Sequence, residues 1–395
     1  MSKWPEVALG DIFDIARGGS PRPIDDYITD ADDGVNWISI SDASDSEKFI
    51  TKTKKKIIKE GVARSRPVKP GDFLLTNSMS FGRPYIMATD GCIHDGWLVL
   101  SKKNDSINQD YFFHLLGSES TYRKFKSLAA GAVVKNLNID LVKSVTIPLP
   151  PLEEQKRIAA VLDKADSLRR KRAQAIALAD DFLRATFLDM FGDPVTNPKG
   201  WPVKQLQQLC DVATGATPNR EVEAYFGGDV PWVKTGEVDS DWITTSEEFI
   251  TDRALNETNC KLFPPKTILV AMYGQGKTRG KAGMLGLSAA TNQACAAILP
   301  SCKIQPEFLL SLLKFSYESI RALGRGGNQE NLNLAMIKSL EIIVPDAVAV
   351  ANFIRVREKI STLIERQNVV FEEGNSFYRN FQHDVLKNLR RVKVG

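Results

Sequence analysis

The signatures of disulfide-bonded and zinc-binding proteins are missing from this sequence. Its 395 residues include only five cysteines, an odd and scattered set without a CxxC pair, which argues against a disulfide framework and against a zinc site. We interpret all five as reduced core thiols, namely Cys92, Cys210, Cys260, Cys295 and Cys302.

Long hydrophobic runs are also missing. The longest apolar stretches, such as residues 268–272, have only the length of a strand. The residues after Met1 lack the charged-then-apolar pattern of a secretory signal. The sequence therefore predicts a cytoplasmic protein that does not span a membrane.

Motifs of catalysis are equally scarce. The three histidines, His94, His114 and His383, are far apart in the sequence, and neither a GxSxG nor an HExxH motif occurs. The glycine-rich cofactor loop and the Asn/Asp-Pro-Pro-aromatic motif of a methyltransferase are absent as well. We expect no catalytic residues, no metal site and no cofactor bound by this chain.

Residues 271–278 (AMYGQGKT) are the one match to a nucleotide-binding motif, the looser form of the phosphate-binding loop. In that motif a helix begins directly after the Ser/Thr. Here residues 279–283 (RGKAG) and an apolar strand-like stretch follow, and residues 77–84 of the first half contain no GK[ST]. We interpret the segment as a mobile loop between two strands, with Lys277, Arg279 and Lys281 free to meet phosphates or base edges. A P-loop NTPase that uses this loop is the alternative.

Length and composition favour more than one folded domain. A chain of 395 residues exceeds the usual size of a single core, and 43% hydrophobic with 25% charged residues is ordinary for a globular protein. The net charge of +4 permits a nucleic-acid partner without requiring one. The basic residues cluster at positions 52–56, 169–172, 277–281 and 390–393.

An internal repeat decides the predicted architecture. Trp4-Pro5 recurs as Trp201-Pro202, and the turn at residues 18–21 (GGSP) recurs as residues 215–218 (GATP). A nearly constant offset along the chain identifies a tandem duplication. The same offset pairs Trp37 with Trp232, residues 49–51 (FIT) with 249–251 (FIT), residues 73–75 (FLL) with 268–270 (ILV), and Pro150 with Pro345.

Each copy is predicted to consist mostly of strands and to end in short helices. The predicted strands are residues 35–40, 71–76, 96–100, 231–235, 267–272 and 295–299. The predicted helices are residues 109–116, 139–143, 307–317 and 334–338, of which the second and fourth follow an Asn-Leu-Asn cap.

A long helix is predicted after each copy. Residues 152–190 contain neither Gly nor Pro, Pro151 suits a helix start, and Gly192 supplies the stop. Such a helix is about 58 Å long, too long to pack against one small domain. Residues from 347 onward repeat the pattern, with Gly374 as a weak point about midway.

We expect the apolar stripes of the two helices to pack against each other in an antiparallel seam. The alternatives are that each helix packs on its own domain, or that the stripe drives homodimerisation. The predicted seam residues are Leu152, Ile158, Leu162, Ala165, Leu168, Ile360, Leu363 and Ile364.

The predicted fold is therefore α+β. Two similar β-rich domains, residues 1–150 and 193–346, are joined and spaced by two long antiparallel coiled-coil helices, residues 151–192 and 347–395, with pseudo-two-fold symmetry.

Polar and basic loops in both copies have the composition of nucleic-acid contacts, since Ser, Thr, Asn, Gln, Arg and Lys read base edges and bind phosphates. We expect about half of these residues to touch DNA. The candidates in the first copy are Arg17, Ser20, Arg22, Ser39, Ser41, Asn77, Ser78, Ser80, Arg83, Lys135 and Asn136. Those in the second copy are Thr217, Asn219, Arg220, Lys234, Thr235, Tyr273, Gln275, Lys277, Arg279, Lys281, Arg325, Asn328 and Gln329.

Three motifs carry a family resemblance. Residues 147–168 (IPLPPLEEQKRIAAVLDKADSL), residues 191–194 (FGDP) followed by 197–202 (NPKGWP), and residues 291–295 (TNQAC) resemble the specificity subunit of Type I restriction-modification systems. The likeness extends over essentially the whole chain.

The resemblance implies a non-catalytic subunit whose two recognition domains read a bipartite double-stranded DNA target with a non-specific spacer. It also implies docking of two adenine-N6 methyltransferase subunits, whose seats would include the seam residues, and of restriction (translocase-nuclease) subunits. S-adenosylmethionine, ATP and magnesium would belong to those partners. Residues 347–357 (AVAVANFIRVR) depart from the family's Glu-Glu-Gln opening at residues 153–155, so the two docking sites need not be equivalent. A duplicated scaffold that binds only proteins is a further alternative.

Overall fold

The computed structural model describes residues 4–44, 46–77, 82–130, 137–239, 241–274, 276–324 and 331–387. The chain forms two compact units. Unit 1 comprises Met1–Gln174 and Gln367–Gly395, and unit 2 comprises Ala175–Arg366. Each unit therefore contains one copy of the repeat together with a piece of both long helices.

The strands of unit 1 are β1 (Glu6–Ala8), β2 (Phe13–Arg17), β3 (Ile28–Thr29), β4 (Val35–Ile38), β5 (Phe49–Ile50), β6 (Lys55–Ile57), β7 (Arg66–Val68), β8 (Phe73–Thr76), β9 (Pro84–Met87), β10 (Gly91–Ile93), β11 (Trp97–Lys102) and β12 (Thr146–Pro148). Its short helices are α1 (Leu9–Ile12), α2 (Ile40–Ser44), α3 (Lys59–Val62), α4 (Gln109–Leu116), α5 (Glu119–Ala130), α6 (Ile139–Ser144) and a 3₁₀ helix (Ile24–Tyr27). The first long helix, α7 (Leu152–Phe191), begins in this unit.

The strands of unit 1 form three sheets. Two of them have five strands, in the orders β3-β6-β4-β10-β7 and β2-β11-β8-β9-β5, and β1 pairs with β12. Most neighbours are antiparallel, but β10 runs parallel to β4 and β5 runs parallel to β9. Helix α4 covers the second five-stranded sheet, where the Phe112 ring meets the Phe13 ring edge-on at 5.2 Å.

The strands of unit 2 are β13 (Val203–Gln205), β14 (Val212–Thr214), β15 (Phe226–Val233), β16 (Trp242–Ile243), β17 (Glu248–Ile250), β18 (Ile268–Ala271), β19 (Ala282–Leu285), β20 (Ala290–Thr291), β21 (Cys295–Ile298) and β22 (Glu341–Ile343). Its helices are α8 (Leu206–Leu209), α9 (Asp252–Glu257), α10 (Pro306–Phe315), α11 (Tyr317–Leu323), α12 (Leu334–Lys338), two 3₁₀ helices (Glu223–Tyr225 and Thr235–Glu237) and the start of α13 (Ala347–Lys387).

The sheets of unit 2 confirm the duplication. The order β14-β21-β18-β19-β16 repeats the order β2-β11-β8-β9-β5, including the parallel edge strand, and β13 pairs with β22 as β1 pairs with β12. The second sheet is reduced to β17-β15-β20, in which β15 and β20 keep the parallel pairing of β4 and β10. The predicted α+β class, with two β-rich parts and two long helices, is confirmed.

The structure corrects one part of the repeat alignment. The predicted match of residues 49–51 with 249–251 is wrong, because Phe49–Ile50 (β5) occupies the place of Trp242–Ile243 (β16) beside the equivalent strands β9 and β19. Phe249 lies in β17, which pairs with β15 as β6 pairs with β4. Identical Phe-Ile-Thr letters therefore occupy different positions, since the place of such short strands is set by their distant partners.

Several predicted elements have different bounds in the structure; the strand predicted at residues 231–235, for example, is β15 (Phe226–Val233). The strand predicted at residues 35–40 ends at Ile38, because Ser39 binds Asp42 and a helix starts at Ile40. The helix predicted at residues 307–317 is two helices, α10 and α11, that meet at Ser316. The predicted Asn caps are confirmed, since Asn138 accepts from Leu141 N at 2.8 Å and Asn333 accepts from Met336 N at 2.9 Å.

In unit 1 the long helices pack on the β-rich part and on each other. Ile158 and Leu162 of α7 are buried in the core beneath α4. Arg172 of α7 donates to the carbonyl oxygen of Val370 in α13 at 3.2 Å. Helix α13 continues through Gly374, which lies against the Arg172 guanidinium.

In unit 2 the end of α7 meets the start of α13. The rings of Phe187 and Phe353 are 5.3 Å apart, and both residues are buried with Phe191 and Phe308 in one aromatic cluster. In both units the helices pack on the β-rich part and also on each other, so the alternative in which each helix packs only on its own domain is wrong.

Some expectations about burial are wrong. Leu168 and Leu363, two predicted seam residues, are 49% and 50% exposed. Cys302 is exposed, whereas the other four cysteines are buried as predicted. Within the described ranges, no helix combines the length and the apolar content that crossing a bilayer requires.

Candidate nucleic-acid interface

In both copies a glycine turn packs against the end of a parallel strand, β10 or β20. A Cβ atom on Gly18 would lie 1.9 Å from the carbonyl oxygen of His94, and one on Gly215 would lie 1.9 Å from that of Thr291. Neither position tolerates a side chain, which explains why the glycine of this turn recurs. The polar residues of these turns are thereby held close to the loops at 94–96 and 292–294.

Several candidates in and near the first glycine turn contact Asp95. Ser20 donates to its carboxylate at 2.9 Å, and the Arg22 guanidinium lies 3.5 Å from the carboxylate. Arg17 and Asn77 both donate to its backbone carbonyl, at 3.0 and 2.7 Å. The hydrogen bond from Ser20 holds the pKa of Asp95 below its usual value. The carboxylate is therefore ionised at neutral pH and orients the exposed basic heads.

The remaining described candidates of unit 1 differ in exposure. Asn77 is buried, so its amide supports the loop from below. Ser39 and Ser41 are 2.8 Å apart at the start of α2, where Ser39 also donates to Asp42 at 2.6 Å. Arg83 is exposed, with its guanidinium over the Tyr85 ring. Ser78, Ser80, Lys135 and Asn136 lie outside the described residues.

Two candidates of the second copy, Arg220 and Lys234, contact Glu248. Arg220 lies 2.8 Å from its carboxylate and Lys234 lies 3.0 Å from it, and Lys234 also contacts Glu247 at 3.0 Å. The Arg220 guanidinium also stacks over the Trp232 ring at 5.2 Å. Hydrogen bonds from Lys234 and Arg220 hold the pKa of Glu248 below its usual value. This patch is charge-balanced, so it offers hydrogen-bonding groups rather than a net positive field.

The loop between β18 and β19 carries an exposed basic side chain of the second copy, Lys277. Lys277 is exposed, and it has no ion pair within the part of the chain that the structure describes. Lys281 instead lies 2.6 Å from Asp239, so the prediction that all three basic residues are free is wrong for Lys281. Helix α11 supports the loop, because Tyr317 donates to the carbonyl of Lys277 at 2.7 Å and Arg321 donates to that of Gly276.

The same loop lacks the architecture of a phosphate-binding loop. Thr278 is followed by a turn and then by strand β19, which pairs antiparallel with β18. In a phosphate-binding loop a helix would begin there and direct its amides at the phosphates. The geometry is that of a hairpin loop and matches the expected loop between two strands.

The other described candidates of unit 2 lie at turns. Thr217 is hydrogen-bonded to Gln293, Asn219 accepts from Glu221 N at 3.1 Å, Thr235 begins a 3₁₀ helix, and Tyr273 is 44% exposed. Gln275, Arg325, Asn328 and Gln329 lie outside the described residues. No group of three or more His, Cys, Asp or Glu side chains suited to a metal ion occurs in the described ranges.

Sequence reasoning missed the residues that position the candidates. The candidate loops are contacted from distant parts of the chain by Asp95, Glu248, Tyr317 and Arg321. An isolated acid or tyrosine carries no local sequence signal. Only the repeated glycine turn could have pointed to the loop that contains Asp95.

The comparisons with known proteins agree over nearly the whole chain. The model of the Type I restriction modification DNA specificity domain matches residues 1–178 and 198–350. The MjaIX specificity subunit of a Type I restriction enzyme from Methanocaldococcus jannaschii is 24% identical over 87% of this chain and 83% of its own length. The HindI specificity subunit from Haemophilus influenzae is 24% identical over 93% of this chain and 94% of its own length.

Solved structures share the fold. The S subunit of a Type I restriction-modification system from M. genitalium superposes with a TM-score of 0.59 at 15% identity, over 99% of this chain and 96% of that chain. A chain from a structure of a type I R-M system gives a TM-score of 0.57 at 16% identity, over 97% of both chains. Because the family model covers both copies of the repeat, the chain belongs to the Type I restriction-modification DNA specificity family and is a DNA-recognition subunit of that kind.

Proposed function

We propose that the two β-rich copies each bind one part of a split double-stranded DNA target, separated by base pairs that are not read. The observation that carries this proposal is the repeated sheet order, β2-β11-β8-β9-β5 and β14-β21-β18-β19-β16. One chain thus presents two copies of the same scaffold with different loops. Altering the number of residues in α7 (Leu152–Phe191) is then expected to change the length of the unread segment.

The two copies are proposed to divide base and phosphate contacts differently. In unit 1 the exposed heads of Arg17 and Arg22 are held beside Asp95 and suit both guanine edges and phosphates. In unit 2 the charge-balanced patch of Arg220, Lys234, Glu247 and Glu248 suits base edges, because a carboxylate can accept from cytosine. Phosphate binding in unit 2 is then left to the loop that carries Lys277.

The long helices are proposed to hold two adenine-N6 methyltransferase subunits, and the restriction subunits join that complex. Leu178 and Phe182 of α7 support this proposal, since they are 59% and 60% exposed and lie one turn apart on the helix. Apolar side chains that remain exposed on a long helix mark an interaction surface. S-adenosylmethionine, ATP and magnesium are assigned to these partners.

The two docking sites are proposed to be unequal. At the start of α7, Gln155 is buried, accepts from Asn108 N at 2.9 Å and donates to Pro150 O at 2.8 Å. The start of α13 lacks this Glu-Glu-Gln segment and exposes Val348.

A gel-shift assay of the purified chain with random duplex pools, with and without its methyltransferase subunit, tests DNA binding. Selection of an enriched, interrupted sequence is the expected result. Retention of the methyltransferase without any selected duplex would contradict the proposal and favour a scaffold that binds only proteins.

A further inference from the structure

Two side chains of helix α11 bind the backbone of the loop between β18 and β19. Tyr317 donates to the carbonyl oxygen of Lys277 at 2.7 Å, and Arg321 donates to that of Gly276. Arg321 also donates to the Tyr317 hydroxyl at 2.7 Å, and its guanidinium lies over the Tyr317 ring. The two side chains therefore act on the loop as one connected group.

The loop also packs directly on this helix. A Cβ atom on Gly280 of the loop would lie 3.4 Å from the Cβ atom of Arg321. One on Gly324, which follows α11, would lie 3.5 Å from the guanidinium carbon of Arg279. Arg279 is thus held against the end of the helix whose side chains bind the loop backbone.

Most of the positive charge at this contact has no acidic partner. In the stretches of chain that the structure covers, neither Arg279 nor Arg321 forms an ion pair, and the buried Nε atom of each has no hydrogen-bond acceptor. Lys277 is exposed, and of these four basic residues only Lys281 is neutralised, by Asp239 at 2.6 Å. Cations that lie together without a counterion repel one another, so the arrangement favours the binding of an anion.

We propose that Tyr317 and Arg321 position the loop between β18 and β19 to bind a DNA phosphate. Arg279 is then a second phosphate contact beside Lys277. This inference rests on the proposed function, in which the loop binds the DNA backbone. A carbonyl oxygen that faced the DNA would repel a phosphate, but α11 keeps the carbonyl oxygens of Gly276 and Lys277 bonded to its own donors. A loop that is already ordered also loses less entropy when it binds.

Tryptic cleavage of the purified full-length chain tests the positioning role without DNA. Tyr317→Phe removes one hydrogen bond to the loop and changes no charge. Trypsin cuts after Lys and Arg in segments that open, so cleavage within residues 277–281 should become about threefold to tenfold faster. Tyr225→Phe is the matched control, since its hydroxyl binds Glu257 at 3.1 Å outside this loop, and it should leave the cleavage rate unchanged.

Titrations of a mixed-sequence duplex over a series of salt concentrations separate position from charge. Tyr317→Phe should weaken binding by about threefold to tenfold and keep the slope of log K against log salt. Arg279→Gln should reduce the magnitude of that slope by about 1. Arg253→Gln, at an exposed arginine that pairs with Glu257, is the charge control and should leave the slope unchanged.

Unchanged DNA affinity of Tyr317→Phe, with or without faster cleavage, would overturn the positioning role. An unchanged slope for Arg279→Gln would overturn the second phosphate contact. A wild-type chain that binds no duplex at all would instead contradict the proposed function itself. The cleavage measurement contains no DNA, so it still decides whether Tyr317 holds the loop.

Discussion

Ser20 donates a hydrogen bond of 2.9 Å to the carboxylate of Asp95, which joins the glycine turn of the first copy to the loop after β10. The same carboxylate lies 3.5 Å from Arg22, and the backbone carbonyl of Asp95 accepts from Arg17. An acid thus sits at the centre of the candidate basic contacts. Its proposed role is to orient them, since a guanidinium held in place loses less side-chain entropy when it binds DNA.

Asp95→Asn tests this positioning role. The substitution keeps the backbone contacts but removes the charge that holds Ser20 and Arg22, so DNA affinity should fall by about threefold to tenfold, or roughly 1 kcal/mol. Titration of a duplex that carries the target measures the change. Asp105→Asn, at a side chain that is 98% exposed, is the matched control and should leave the affinity unchanged. Higher affinity for Asp95→Asn would show that the acid only repels DNA.

Lys277→Ala tests the phosphate contact of the second copy. The residue is exposed and unpaired within the described chain, so its loss should weaken binding to every duplex similarly and reduce the slope of log K against log salt by about 1. Lys204→Ala, at an exposed lysine of β13, should leave the slope unchanged. An unchanged slope for Lys277→Ala, or measurable ATP binding by the intact chain, would contradict this interpretation of the loop.

His114 makes the stability of unit 1 depend on pH. Burial lowers the pKa of His114 although Asp163 opposes the shift, and the neutral ring can donate from Nε2 to Asp163 and accept at Nδ1 from Tyr378. A histidine whose pKa is lower in the folded than in the unfolded state contributes stability above the unfolded value of about 6.5. That stability is lost as the pH falls from there through the folded pKa.

Denaturant titrations between about pH 5 and 8 should therefore show decreasing stability toward acid, and His114→Gln should show a smaller decrease. The comparison is His94→Gln, because burial also lowers the pKa of His94. Each variant should remove only the contribution of its own histidine to the pH dependence of stability. A His114→Gln profile that is identical to the wild-type profile would contradict the assignment.

Phe182→Ser combined with Leu178→Ser tests docking on α7. Both side chains are exposed in the chain alone, so the fold should tolerate the change, whereas co-purification with the methyltransferase subunit should be lost. Leu262→Ser, at a leucine that is 51% exposed in the same unit, is the matched control. Retained co-purification by the double variant would place the docking site elsewhere.

The predictable part of the fold depends on local rules. Asn138 and Asn333 cap their helices because the Asn side chain satisfies a free amide three residues on, and the 40-residue helix α7 follows from the absence of Gly and Pro. The Gly-Ser/Thr-Pro turns recur because Gly18 and Gly215 touch carbonyl oxygens. Such features can be found from neighbouring residues or from the repeat alone.

The unpredicted part depends on distant partners. Phe49 and Phe249 are both followed by Ile-Thr but occupy different places in the sheets, since strands of two or three residues are positioned by the strands beside them. Lys281 is paired because the fold brings Asp239 to it, and Asp95 was not a candidate because an isolated acid has no motif. The candidate loops could thus be found from composition, but the partner of each side chain could not.

Genome-wide mapping of N6-methyladenine is the sharpest test of the proposed split DNA target. The measurement compares cells that carry this chain and its partner subunits with cells in which residues 1–150 are replaced by the equivalent segment of another specificity subunit. We expect one part of the methylated sequence to change while the other part and the number of unread base pairs stay the same. Changes in both parts, or a methylated sequence that is not interrupted, would contradict it.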